Sequence, residues 1–462
     1  MKKLLIKIIL LFLWSLSFGQ MTKKPNVVII NIDDMGWKDL GYMGSQFYNT
    51  PNIDRLSKAG MVFSQGYAAA SNCAPSRACM MSGLWGPRHG IYTVGSSARG
   101  KPANRKLVPV ENTVVLPEEI ITLPQVMKNN GYVTCNAGKW HISKDPLEKG
   151  FDVNIGGGNY GHPSKYYPPY GIKELKADEA GGKYLTDLIT EKTIAFIKTA
   201  RSPFFLNYAT YAVHTPITPV DSLKYKYQDK PASNGQSNIA YATMIENLDM
   251  NIGLLIKALK ESGAYDNTFI IFTSDNGGLF GITKQPPLRS GKGSYYEGGI
   301  RVPFFLVWKG KIQPQTNSET PITNLDIFPT VLDVAGINKS TYKLDGQSLV
   351  PLVKAGKFKQ DRPLFWHFPI YLETYDVKNN EDRDPLFRTR PGSVLRLGNW
   401  KLHHYYEDNA IELYNLKDDV SEKNNLLIAE PKKAKELLAI LNKWKKDVAA
   451  PVPTTLNPEY KN

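Results

Sequence analysis

The sequence predicts an α/β protein: a large, mostly parallel sheet sandwiched by helices, followed by a smaller C-terminal α+β subdomain on an antiparallel sheet. Three observations predict it. Short β-branched or aromatic runs alternate with amphipathic stretches up to about Asp345, the pattern of strands buried on both faces and covered by crossover helices. Several of these runs end in unusual polar residues, where a parallel sheet holds its ligands. Beyond Asp345 the texture changes to short strands with turns and a Lys-rich helix.

In chain order, Lys2, Lys3 and Lys7 precede an apolar run from Ile8 to Phe18, and Ser17 and Gly19 are small residues before Gln20. That is the form of a secretory signal peptide over 1–19. The run is shorter than the roughly 20 apolar residues of a membrane span, and no Cys follows it to carry a lipid. Export to the periplasm or the outside is the expectation. Strands are expected at Asn26–Ile32, Tyr132–Ala137, Phe204–Ala209, Phe269–Thr273 and Pro303–Trp308. The clearest helix runs from Ile239 to Ser262, with Met244, Ile245, Leu248, Ile252, Leu255, Ile256 and Leu259 on one face. These elements define a catalytic α/β domain over 20–345. A subdomain over 346–462 holds strands at Val394–Leu397, Trp400–His404 and Ile411–Tyr414 and a helix at Pro431–Val448. No low-complexity linker separates the two parts, which predicts a shared interface. The stretches Gly156–Gly171 and Tyr371–Pro391 read as too irregular for core and as walls of a substrate cleft.

Composition narrows the function. With 42% hydrophobic residues the chain is not disordered. Three Cys and no C-x-x-C exclude a disulfide scaffold and zinc knuckles. Fifty-seven Lys and Arg against 43 Asp and Glu give a formal charge of +14, of which the signal segment carries three lysines. A basic exported protein suggests an anionic partner. The lysines are dispersed and no basic helix or ribonucleoprotein motif occurs, so an acidic polysaccharide or an anionic small group fits an exported protein better than nucleic acid. No later segment is apolar enough for stable membrane insertion.

The first strand runs straight into Asp33-Asp34. The strand at Tyr132 is followed by Lys139-Trp140-His141, that at Phe204 by His214-Thr215-Pro216, and that at Phe269 by Asp275-Asn276. Asp and Asn also start turns and cap helices, but turns alone do not explain four such endings on one rim. Three carboxylates and an amide suit a hard cation, calcium or magnesium. Asp33 and Asp34 would repel each other without one. Lys139, His141, His214 and Lys292 add cationic and proton-transferring groups, which together describe a site for a tetrahedral oxyanion held against a metal. In Cys73-Ala74-Pro75-Ser76-Arg77, Pro75 suits the first turn of a helix and sets Cys73 at its positive end. Cys79 and Cys135 read as small buried hydrophobes.

On these residues the chain resembles the type I, formylglycine-dependent sulfatases of the alkaline phosphatase superfamily, from Asn26 to about Leu426. The motif C-x-P-S-R carries most of the resemblance. Leu288–Pro303 (LRSGKGSYYEGGIRVP) and Trp400–Asn425 are similar to polysaccharide sulfatases of gut and marine bacteria. Met80, Ser82 and Ile142-Ser143 depart from the common pattern without touching a catalytic position. The resemblance implies an alkaline phosphatase-like fold and oxidation of Cys73 to formylglycine (3-oxoalanine) by a formylglycine-generating enzyme. It also implies that Arg77 holds that group and that Asp33, Asp34, Asp275 and Asn276 bind one calcium ion. Lys139 and Lys292 would neutralise sulfate oxygens, His214 would protonate the leaving alcohol and His141 would take a proton from the nucleophile. A sulfated poly- or oligosaccharide is the implied substrate: ulvan, carrageenan or a glycosaminoglycan. His162, Arg289, His367 and Arg388 are candidate substrate contacts, with Arg390, Tyr167, Trp37, Tyr160 and Tyr170 behind them. His403 and His404 alternate faces on a strand and receive no role. Two alternatives stay open: a phosphate or phosphonate monoester hydrolase on the same scaffold, and an inactive sulfated-glycan-binding protein.

Overall fold

The computed structural model describes residues 23–176, 181–201, 203–356, 358 and 361–461; the signal segment 1–19 lies outside them. An eight-stranded sheet forms the centre. Its strands are β1 (Asn26–Ile32), β2 (Met61–Phe63), β3 (Val133–Gly138), β4 (Val153–Ile155), β5 (Phe204–Ala209), β6 (Thr268–Ser274), β7 (Phe304–Trp308) and β8 (Thr316–Ser318). The order across the sheet is β8-β2-β7-β6-β1-β5-β3-β4. β1 pairs in parallel with β5 and β6, whereas β7 runs antiparallel to both β2 and β6. Every residue of β1 and β6 is buried, because both faces of the sheet are covered. Val28, Ile30 and Ile32 pack on one side with Met244, Leu248 and Ile252 of helix α3 (Ile239–Glu261). Val27 and Ile29 pack on the other with Ala74 and Ala78 of α1 (Cys73–Ser82) and Val331 of α4 (Ile327–Ala335). Between them in sequence, α2 (Leu185–Thr199) lies on the α3 side. Asn238 starts α3 by accepting the Tyr241 amide, 3.0 Å away, on its side-chain oxygen.

The C-terminal part is a four-stranded antiparallel sheet of β9 (Leu364–Phe368), β10 (Gly392–Leu397), β11 (Trp400–Tyr405) and β12 (Ile411–Asn415). One face carries Phe365, Leu395, Leu402 and Leu413, packed on Leu437, Leu441 and Trp444 of α5 (Pro431–Asp447) and on Trp85 and Leu325. The other carries Leu364, Trp366 and Val394 against Tyr67, Tyr295 and Ile300. Lys401 projects from β11 fully buried between Glu297 (3.0 Å) and Glu422 (2.9 Å). Lys401 thereby ties the C-terminal sheet to the segment that carries Lys292.

Two loop expectations need correction. Gly156–Gly171 lacks regular structure, but Tyr166 and Tyr170 are buried in the core of the α3 face. The Tyr166 hydroxyl donates to the carbonyls of Tyr211 (2.6 Å) and His214 (2.9 Å), and that of Tyr170 to Lys183 (2.7 Å). Tyr170 is therefore a packing residue. Within Tyr371–Pro391, Leu372–Glu373 and Phe387–Thr389 pair as short antiparallel strands.

Candidate active site

The carboxyl ends of β1, β3, β5 and β6 meet as expected. β3 passes into Lys139 at Gly138, whose φ is +97°; a Cβ there would lie 2.1 Å from the Ala209 carbonyl of β5, so only glycine lets the strands close. Asp34 and His141 hold positive φ of 59° and 68°, an uncommon backbone for non-glycine residues that concentrates at functional sites.

Asp33, Asp34, Asp275, Asn276, Arg77, Lys139 and Lys292 form one buried cluster. Lys139 Nζ lies 2.6 Å from Asp33 Oδ2, and Lys292 Nζ lies 2.7 Å from Asp34 Oδ2. Arg77 donates from Nε to Asp275 Oδ2 and from NH1 to the Lys139 carbonyl, both at 2.8 Å. The Asn276 amide donates to Asp34 Oδ1 at 2.8 Å, and the Asp34 N–H to Asp275 Oδ1 at 3.2 Å. Three carboxylates thus face three cations. Burial holds the Asp33 carboxyl well above the usual carboxylate range despite Lys139. Burial also pushes Asp34 up, but Lys292 and His214 override it and hold the group below that range.

Asp33 Oδ1 and Asn276 Oδ1 are buried and lack a hydrogen-bond partner, although Arg77 NH2 stands 3.8 Å from Asp33 Oδ1. Buried oxygens left in this way are costly, and a hard cation would satisfy both. One donor atom each of Asp33, Asp34 and His214 lies within 4.8 Å of the others, so the geometry also brings His214 beside the expected ligands. The residues present fit a divalent cation.

His214 Nδ1 lies 2.8 Å from the Thr215 carbonyl. A carbonyl only accepts, so Nδ1 carries the proton and Nε2, 3.5 Å from Asp34 Oδ2, is the nitrogen with a free lone pair. Burial, then Lys292, pulls its pKa down to about 3. His141 is likewise held well below the ordinary range by burial and by Lys139 and Arg77, and its Nδ1 has no partner. Cys73 is the first residue of α1 and only 2% exposed. Burial pushes its thiol up, against the pull of Lys139 and Lys292. An ordinary cysteine nucleophile is the reverse case, an exposed thiol held down.

The candidate substrate contacts divide. His162 stacks on His214 with ring centroids 5.7 Å apart and planes 7° from parallel, at the edge of the cluster. Arg289 lies over the Tyr296 ring at 3.8 Å and donates to the carbonyls of Glu381 and Glu422. Arg388 is buried and serves the protein itself: Nε donates to the Glu373 carbonyl and NH1 to that of Lys292, both at 2.9 Å. Gly293 makes room for it, since at φ +91° an added Cβ would stand 2.6 Å from Arg388 NH1. Arg388 is thus a positioning residue for Lys292 rather than a sugar contact. Replacing it by alanine is expected to lower kcat about 10- to 100-fold with a much smaller change in KM, and Arg388→Lys to restore part of the loss in steady-state assays.

His367 corrects an expectation. Its Nδ1 is taken by Ser393 Oγ at 2.8 Å and its Nε2 by the Pro451 carbonyl at 2.9 Å, so no ring nitrogen remains for a ligand. Burial pulls its pKa down to about 3. The folded protein stays unprotonated there while the unfolded chain takes up a proton near pH 6.5, so stability present above that pH is lost as pH falls toward 3. His367→Gln is expected to flatten the stability–pH slope by about 1.4 kcal/mol per pH unit between pH 6 and 4, read from denaturant titrations. Trp37 is likewise committed, its indole N–H donating to the Ser64 carbonyl at 3.2 Å. Arg390 pairs with Glu407 at 2.6 Å, and the half-buried Tyr160 packs on the core of the α3 face. Tyr167 remains exposed. His403 and His404 bond to Glu422 (3.1 Å) and Asn409 (2.7 Å).

One supporting residue escapes sequence reasoning. Asp39 is fully buried and accepts from Tyr241 Oη (2.8 Å), Thr283 Oγ1 (2.7 Å), Gln285 Nε2 (2.7 Å) and the Gly36 amide (2.8 Å). It fixes the turn after Asp34 against α3 and the segment after Asn276. Its only signal is an aspartate next to a glycine-containing turn.

Residues 25–337 match the sequence profile of the Sulfatase family, and residues 291–449 that of the N-sulphoglucosamine sulphohydrolase C-terminal region. A sulfatase of Formosa agariphila is 32% identical, over 88% of this chain and 85% of its own length. Human N-acetylgalactosamine-6-sulfatase is 32% identical, over 74% of this chain and 68% of its own. The solved structure of Ps i-CgsB with k-i-k-neocarrahexaose matches with a TM-score of 0.74 at 28% identity, over 94% of this chain and 96% of that one.

Proposed function

The chain belongs to the sulfatase family, and on that premise we propose that it is an exported hydrolase that removes sulfate from a sulfated poly- or oligosaccharide at the Asp33–Lys292 cluster. As a sulfuric ester hydrolase it converts a sulfate ester and water into an alcohol, sulfate and a proton. In this reading Asp33, Asp34, Asp275 and Asn276 hold one calcium ion, and Cys73 is converted to formylglycine by a formylglycine-generating enzyme. The cation supplies charge stabilisation on the sulfate oxygens, and the converted residue supplies a hydroxyl nucleophile in place of a protonated thiol.

The chain's own residues do the rest. Lys139 and Lys292 meet the ester's sulfate oxygens within the buried cluster, and Arg77, one turn after Cys73 on α1, holds the residue-73 group. His214, once protonated at Nε2 beside Asp34 Oδ2, gives that proton to the leaving oxygen, while its Nδ1 proton stays on the Thr215 carbonyl. His141, neutral and unbonded at Nδ1, takes the proton of the attacking group. The observation that carries this reading is the set of unsatisfied oxygens on Asp33 and Asn276 amid three buried cations.

The glycan reading draws support from the relatives: one is named for N-acetylgalactosamine-6-sulfate chemistry and another was solved with a neocarrahexaose. Parallel assays on nitrophenyl sulfate and a nitrophenyl phosphonate ester test the reaction class. The expected result is a preference for sulfate of at least about 100-fold in kcat/KM, roughly 2.7 kcal/mol of transition-state discrimination. A preference for the phosphonate sinks the proposal.

A further inference from the structure

A second hollow, of about 540 Å³, borders the segment that carries Lys292, a size typical of ligand pockets. Phe280, Lys284 and Pro286 line one wall, and Glu381, Asp382 and Lys423 the other. Both walls are hydrogen-bonded to the Ser290–Lys292 segment. The Lys292 amide donates to the Gly278 carbonyl at 2.9 Å, two residues before Phe280. Ser290 Oγ donates to Asp382 Oδ1 at 2.6 Å, and the Ser290 amide to Glu381 Oε2 at 3.2 Å. The two acids of the hollow each accept one hydrogen bond from Ser290 and are turned toward it.

The hollow's cations, Lys284 and Lys423, form no ion pair among the described residues. Lys284 Nζ instead hovers 4.9 Å from the centre of the Phe280 ring. Arg289, at the same rim, meets backbone carbonyls rather than carboxylates. A phenylalanine and a proline beside ammonium groups that lack a carboxylate partner suit a ligand with an apolar C–H surface and a negative substituent. A charged sugar unit has both.

We propose that this hollow is a second glycan subsite. It binds a neighbouring sugar of the chain being desulfated and takes that sugar's anionic group between Lys284 and Lys423. The inference rests on the glycan reading above. The test uses the full-length protein made without formylglycine-generating enzyme, so that ligands bind without being consumed. The probes are size-defined carrageenan oligosaccharides, which carry sulfate alone, and chondroitin sulfate oligosaccharides, which carry sulfate and carboxylate. Affinity is measured by calorimetry at low and high salt. The expected result is a gain of at least about tenfold as the probe lengthens beyond one disaccharide, screened by salt. In Lys284→Glu/Lys423→Glu that gain disappears, and Phe280→Ala, which leaves the charges in place, loses part of it. A gain with carrageenan assigns sulfate to the subsite, and a gain with chondroitin sulfate alone assigns carboxylate. Affinity independent of length, no binding of any probe, or a gain unchanged in the charge-reversed protein overturns the proposal. Sulfate release from nitrophenyl sulfate by matured wild-type protein reads the reaction separately, so a failed subsite and a failed sulfatase reading are distinguishable.

Discussion

Cys73→Ala, in protein produced with the formylglycine-generating enzyme, loses at least about 10⁴-fold in kcat for sulfate release. The substitution removes one sulfur from the first residue of α1, where the side chain is 2% exposed. The helix keeps its first turn, since the Ser76 amide still donates to the Asn72 carbonyl at 3.2 Å, and alanine is a good helix former. Arg77, Lys139 and Lys292 keep their carboxylate partners, so the charge arrangement of the site is unchanged. The expected signature is lost turnover with retained binding and a near-normal melting temperature. A variant within tenfold of wild type would mean that residue 73 is not the nucleophile.

Removal of the divalent cation has the second largest expected effect. Chelation is expected to lower kcat about 10³-fold or more, and added calcium to restore it. A stability readout accompanies activity. A cation bound only by the folded protein stabilises it by about 2.7 kcal/mol at a hundred times its dissociation constant, which appears as a calcium-dependent rise in melting temperature. Asp33→Asn separates the ligand role from packing. The amide oxygen can still accept from Lys139, but the charge that faces the unsatisfied Asp33 Oδ1 position is gone. The variant should fold and lose the calcium-dependent rise. An unchanged rise would remove Asp33 from the cation site.

Much of this arrangement is legible in the sequence because the central strands announce themselves. β1, β5 and β6 are buried throughout and read as largely apolar, β-branched or aromatic runs broken only by an Asn, Thr or Ser, and the polar residues that follow them fall on one rim. The three-residue strands β2, β4 and β8 leave no such trace. β7 is visible as a strand, but its antiparallel direction depends on its neighbours β2 and β6. At the site, Asp33, Asp34, Lys139, Asp275 and Asn276 are legible because each directly follows a strand. The supports are not. Lys401 meets Glu297 from 104 residues away, and Arg388 reaches the Lys292 carbonyl from 96 away. His367 shows the opposite failure: a histidine beside aromatics resembles a cleft residue until Ser393 and Pro451 claim its nitrogens.

The most direct measurement is the mass of the peptide spanning residue 73, taken from the same matured protein whose sulfate release is assayed. The expected peptide is lighter by the difference between a CH₂–SH side chain and an aldehyde, and the fraction so converted rises in proportion to the specific activity of each preparation. A peptide that keeps the intact thiol in protein releasing sulfate at the full rate would contradict the formylglycine reading.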